Sequence, residues 1–156
     1  MPQTALLQLF EEDIVHADRL VELIDAEFEA LRDRELDRLQ TILAEKQPLL
    51  ALLDQHARSR GDLMRKAQLS ADRQGLEALA ARSPDGALLI EKSEALNERL
   101  ERCREYNLRN GRLINANQAA VGKLVSILRG GNDTPNLYDR RGTTARGGYQ
   151  RPLSEA

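Results

Sequence analysis

The chain predicts an all-α fold: an antiparallel bundle or coiled coil of three long helices, with a short connecting helix and a flexible C-terminal tail. Three observations predict it. Apolar residues recur at alternating three- and four-residue spacing over long stretches, the mark of helices that bury one stripe. The composition is 41% hydrophobic and 31% charged with only two Phe, three Tyr and no Trp, which suits long helices better than sheets or a thick core. Pro84 opens the longest periodic stretch and Gly130-Gly131 closes it. A chain of 156 residues suits one folded domain, placed here at 1–131, followed by a tail at 132–156.

Helix one is expected from Thr4, a possible cap, to Arg32. Its stripe reads Leu7, Phe10, Ile14, Ala17, Val21, Ile24, Phe28 and Leu31, with acids such as Glu11, Asp18 and Glu22 on the wet faces. The phase breaks at Asp33-Arg34-Glu35 and restarts at Leu36, Leu39, Leu43, Leu50 and Leu53. That slip suits a tight turn capped by Asp33 and a second, antiparallel helix over Glu35 to Gln68. One long helix carrying a stutter is the rival. Pro48 falls inside helix two and removes one backbone hydrogen bond, so a kink is expected there. A short helix over 71–81, capped by Ser70, holds Leu76, Leu79 and Ala80. Ser83-Pro84-Asp85 then gives the clearest helix start in the chain.

The last helix runs from Pro84 to the Gly130-Gly131 pair, a length of ~70 Å at the usual helical rise. Its seam is Leu96, Leu100, Cys103, Asn107, Asn110, Ile114, Asn117, Val121, Leu124 and Leu128. It exceeds the first two helices by ~20 Å, and the short helix can cover only its N-terminal end. The C-terminal half, with Leu113, Ile114, Val121, Leu124 and Leu128, is therefore expected to lie open to an amphipathic helix from a partner. Three seam amides, Asn107, Asn110 and Asn117, allow two readings. They fix register inside a bundle, as single seam amides do, or they keep a surface soluble until a partner fills it.

Several classes are disfavoured. A net charge of −2 offers no basic excess for phosphates. No apolar run approaches the ~18 residues of a membrane span, and the start lacks the layout of a signal peptide. The lone cysteine, Cys103, has no internal disulfide partner and reads as a half-buried cytosolic thiol. Asp13 and His16 form one acid-x-x-His pair, but a di-iron bundle needs two such pairs, so no metal is expected and His16 reads as a flank residue. His56, followed by Ser59, Arg60 and Gly61, approaches the phosphorelay pattern with its cation one position out of register. No catalytic set and no cofactor site stands out.

The run Cys103-Arg104-Glu105-Tyr106-Asn107-Leu108-Arg109-Asn110-Gly111-Arg112-Leu113-Ile114 resembles the central motif of the FlgN family of flagellar type III export chaperones. Arg34-Glu35-Leu36 through Glu45-Lys46-Gln47-x-Leu49-Leu50 is similar to the family's second helix, with Pro48 as a departure. Leu137-Tyr138-Asp139-x-x-Gly142-x-Thr144 is similar to its tail block. The resemblance implies a cytoplasmic helical chaperone that is not an enzyme. Its clients would be hook-associated proteins of the hook–filament junction, bound toward the C-terminal part. Asn107, Asn110, Leu113, Ile114, Asn117, Val121, Leu124 and Leu128 would make that contact, and Tyr138 would dock on the export gate. A structural coiled-coil adaptor or homo-oligomer is the alternative, with weak self-association compatible with either. A histidine phosphotransfer domain on His56 is a more distant one.

Overall fold

The computed structural model describes residues 2–129. Tyr138 and the segment 132–156 lie outside the described residues. Within them the chain is all-helical: α1 (Pro2–Arg32), α2 (Leu36–Lys66), α3 (Arg73–Ala81) and α4 (Gly86–Leu128), with no strand. Two compact units emerge, one of residues Met1–Leu113 and one beginning at Ile114, so the boundary falls inside α4. The sequence places no boundary there.

In the first unit α1 is the central helix. It buries Leu6, Phe10, Asp13, Ala17, Leu20, Leu23, Ile24, Glu27 and Ala30, whereas α2, of equal length, buries only Ile42 and Met64. The predicted stripe of α1 is thus right at Phe10, Ala17 and Ile24 and displaced by one position elsewhere. Leu7, Ile14, Val21, Phe28 and Leu31 are half-buried flanks. Three apolar clusters line α1. Leu6, Phe10 and Ala17 meet Met64, Leu76, Leu79, Leu89 and Leu96, so all four helices join at that end. Leu20 and Ile24 meet Cys103, with Leu53 and Tyr106 against them. Leu23, Ala30 and Ile42 form the third. Burying each Leu, Ile, Phe or Met of these clusters stabilises by about 1.5–3 kcal/mol, so these clusters carry the association of the helices.

Ion pairs give the directions. Arg19 with Glu45 (2.6 Å) and Glu29 with Arg38 (3.1 Å) run oppositely along α1 and α2, which makes them antiparallel. Asp18 with Arg99 (2.9 Å) and Asp25 with Arg109 (3.1 Å) advance together, so α4 runs parallel to α1.

The turn at 33–35 is a Schellman motif. Glu35 N–H donates to the Ala30 carbonyl (2.9 Å) and Arg34 N–H to that of Leu31 (3.4 Å), with Arg34 left-handed at φ 57°. This satisfies the last carbonyls of α1 and reverses the chain, which removes the single-helix rival. Asp33 is not a cap, since its carboxylate pairs with Arg32 (3.0 Å) and Glu35 stands at the cap of α2. The same motif ends α2: Leu69 N–H donates to Met64 (3.0 Å) and Gln68 to Arg65 (2.9 Å), with Gln68 at φ 61°. Leu69 packs into the cluster that holds Met64, the apolar contact that accompanies this motif. α2 runs helical through Pro48 without a break.

Asp72, not Ser70, caps α3. Its carboxylate accepts from Gly75 N–H (2.9 Å) and from the Ser70 hydroxyl (2.7 Å). The Ser70 hydroxyl and then the Gly75 amide hold the Asp72 carboxyl below its ordinary value. α4 begins at Gly86 rather than Pro84, its first bond running from Leu89 N–H to the Asp85 carbonyl (3.0 Å), and Thr4 lies in the first turn of α1 rather than before it.

Two glycines permit close approach. A Cβ on Gly86 would lie 2.0 Å from the Ala80 carbonyl oxygen, and one on Gly75 would lie 1.8 Å from that of Ser70. Both obstacles are backbone. Gly86→Ala is therefore expected to cost about 1–3 kcal/mol in a chemical-denaturation midpoint shift, whereas Gly111→Ala, inside α4 where nothing lies within 4 Å, should stabilise by about 0.5–1 kcal/mol.

Candidate functional site

The seam of α4 divides where burial stops. Gly86, Leu89, Ser93, Leu96, Cys103 and Asn110 are its buried residues; after Leu96 the buried steps lengthen to seven, because the intervening seam positions Leu100 and Asn107 are half-buried and exposed. Within the first unit, Asn107 is exposed and Leu113 half-buried. Asn110 is 3% exposed, and its amide donates to the Ile24 carbonyl (2.9 Å) and to Glu27 Oε1 (3.0 Å). Its hydrogen-bonding capacity is thus committed inside the chain. Of the two readings of the seam amides, Asn110 takes the register-fixing one, and it offers no surface to a partner.

The second unit differs. Ile114 is 38% exposed, Val121 58%, Leu124 56% and Leu128 76%, while Asn117 is half-buried. Val125 and Ile127 are exposed as well, at 39% and 66%. The seam spacing thus continues, three, four, three, four, through Ile114, Asn117, Val121, Leu124 and Leu128, and its four apolar side chains are open.

Around Asn110 lies a polar junction of three helices. Glu27 of α1 accepts from Lys46 of α2 (3.1 and 3.2 Å) and from Asn110 of α4. Beside it, the Arg109 guanidinium lies over the Phe28 ring (4.0 Å) and the Tyr106 ring (4.5 Å) and pairs with Asp25 (3.1 Å). Burial pushes the Cys103 thiol up, which leaves it a poor nucleophile, and at 5% exposure it is more enclosed than the expected half-buried thiol.

A second polar cluster joins α1 to α2. Asp13 is fully buried. Its Oδ1 meets His56 Nδ1 at 2.7 Å and its Oδ2 accepts from Arg60. His16 is a half-buried flank residue of α1, its ring 6.0 Å from that of His56. The arrangement is unfavourable for a phosphorelay, which needs an open imidazole beside a free cation. The His56 side chain is 14% exposed, and Arg60 is held by Asp13.

Sequence reasoning missed Asp13 and Glu27 as interior residues. A usable signal exists: they stand fourteen residues apart on α1, and Lys46 and Arg60 stand fourteen apart on α2. Two antiparallel helices in register would pair them, and they do.

Residues 1–146 match the family described as FlgN protein. The chain belongs to the FlgN family. The crystal structure of a candidate flagella synthesis protein FlgN from Pseudomonas aeruginosa is similar to it at 50% identity. The match covers 80% of this chain and 95% of that one, with a TM-score of 0.68. No match is found among curated proteins. For this FlgN-family chain, no helix among the described residues is long and apolar enough to cross a membrane.

Proposed function

We propose that this FlgN-family chain is a cytoplasmic flagellar export chaperone that holds the amphipathic terminal helix of a hook-associated protein along residues 114–128 of α4. Family membership and the flagella-related name of the similar structure support the flagellar export role. The observation that carries the binding reading is the open apolar stripe of Ile114, Val121, Leu124 and Leu128 at unbroken seam spacing. An apolar helix face laid on that stripe leaves water and gains about 25 cal/mol per Å² of apolar surface covered. While covered, the client's own assembly face is occupied, so it stays unpolymerised until handed to the secretion apparatus. Asn107 and Leu113 lie on the same helix in the first unit, and Tyr138 is the proposed docking residue for the export gate.

The alternative, a coiled-coil adaptor in which this stripe pairs with its own copy, differs in stoichiometry. Light scattering at micromolar concentration is expected to give a monomer of the free chain and a defined complex with a hook-associated terminal helix. A tight dimer that dissociates on Val121→Asp, and ignores that helix, would replace the chaperone by the adaptor.

A further inference from the structure

We propose that Asp13, His16 and His56 form a binding site for one transition-metal dication of the zinc type. The sequence supplies Asp13 and His16 one helical turn apart on α1, and the antiparallel pairing of α2 brings His56 to the same point. One ligand atom from each of the three lies within 4.8 Å of the other two. Two imidazole nitrogens and one carboxylate oxygen form a three-ligand set that zinc accepts, with water as the fourth ligand. Such donors select zinc, nickel or copper over magnesium and calcium, which prefer all-oxygen shells.

The geometry needs little adjustment. Tetrahedral zinc with bonds of ~2.0–2.1 Å holds its ligands ~3.3 Å apart. The 2.7 Å contact of Asp13 Oδ1 with His56 Nδ1 must open slightly, and His16 must close by an ångström or so. The metal takes the place of the direct contact between Asp13 Oδ1 and His56 Nδ1. Asp13 uses its two oxygens separately: Oδ1 faces His56 and Oδ2 faces Arg60. Arg60 can therefore remain bonded to the carboxylate as an outer partner while the metal takes the other oxygen. Its positive charge works against the dication, which sets a micromolar rather than a nanomolar affinity. Both histidines are partly exposed, so the ion and its water have a path from solvent.

A purely structural ion pair explains Asp13, His56 and Arg60. It does not explain His16, whose half-buried ring stands beside the pair without being needed by it. His16 is the residue on which the two accounts differ.

The test is calorimetric titration of the untagged full chain, stripped of metal, with zinc chloride and separately with magnesium chloride. One zinc equivalent is expected with a Kd of roughly 1–50 μM, with no magnesium binding. His16→Ala should weaken zinc binding at least tenfold while its helical circular dichroism matches wild type. Arg60→Gln should bind zinc as tightly as wild type or more so, since it removes the competing cation. Absence of saturable zinc binding, or a His16→Ala chain that binds as wild type does, overturns the site. Should His16→Ala fail to fold, His16→Gln, which keeps polarity and bulk but ligates zinc poorly, gives the same reading.

Discussion

Val121→Asp combined with Leu124→Asp is expected to abolish binding of a hook-associated terminal helix while leaving the chain's helical circular dichroism intact. Both side chains are more than half exposed, at 58% and 56%, so neither contributes much to the fold of the isolated chain. Both lie on the seam of α4, where a bound helix would cover them. Covering two aliphatic side chains of this kind is worth ~3 kcal/mol together, and an aspartate in a dry interface adds its own desolvation cost. The affinity should therefore fall more than ~100-fold. A polar change on the opposite face of the same helix, Ser126→Glu, should leave binding within about threefold of wild type, because charges outside the contact mainly alter association rate. Tyr138→Ala provides the converse. Client binding should persist and export-gate docking weaken in a pull-down with gate protein. If the double aspartate chain still binds the client helix, the stripe at 114–128 is not the site. Simultaneous loss of both activities in Tyr138→Ala would contradict a separate docking residue.

The apolar periodicity of α4 is legible from its leucines, isoleucine and valine, whereas its three seam amides divide among exposed Asn107, buried Asn110 and half-buried Asn117. Leu96, Cys103 and the open positions from Ile114 onward fall where the spacing puts them. The stripe of α1 was drawn one position off for a definite reason. Asp13 and Glu27 stand in the middle of the buried face, and a carboxylate ordinarily marks the wet side of a helix. Treating them as solvated rotates the apparent stripe toward Leu7, Ile14 and Val21. Only the matching bases on α2 make their burial tolerable, and that pairing is a property of two helices together. The end of α1 at Arg32 falls where the spacing puts it, but the caps do not, for another reason. Both Schellman turns place a non-glycine residue, Arg34 and Gln68, at the left-handed position where glycine is the usual marker. The aspartate and serine cap signals at 33 and 70 each lie two residues before the actual cap. The cluster of Asp13, His16 and His56 shows the same limit. One pair is visible along a single helix, and the third member arrives only through tertiary pairing.

Glu27→Ala should be among the most damaging single substitutions in the first unit. Glu27 is the side chain that contacts all three long helices: it sits on α1, accepts from Lys46 of α2 and from Asn110 of α4. The Glu27 and Lys46 side chains are only 11% and 12% exposed. Removing the carboxylate leaves an ammonium with little water and no counter-charge, and leaves the Asn110 amide with the Ile24 carbonyl alone. A stranded buried charge of this kind costs about 3–5 kcal/mol, which corresponds to a melting temperature lower by roughly 10 °C for a chain of this size. The control separates charge from packing. Replacing both partners by apolar residues of similar volume, Glu27→Leu with Lys46→Met, removes the desolvation cost together with the attraction. That double variant should recover most of the loss and lie within ~1–2 kcal/mol of wild type. Thermal melts of the three chains decide it. If Glu27→Ala alone melts within ~2 °C of wild type, the junction is solvated in solution and contributes little to joining the helices.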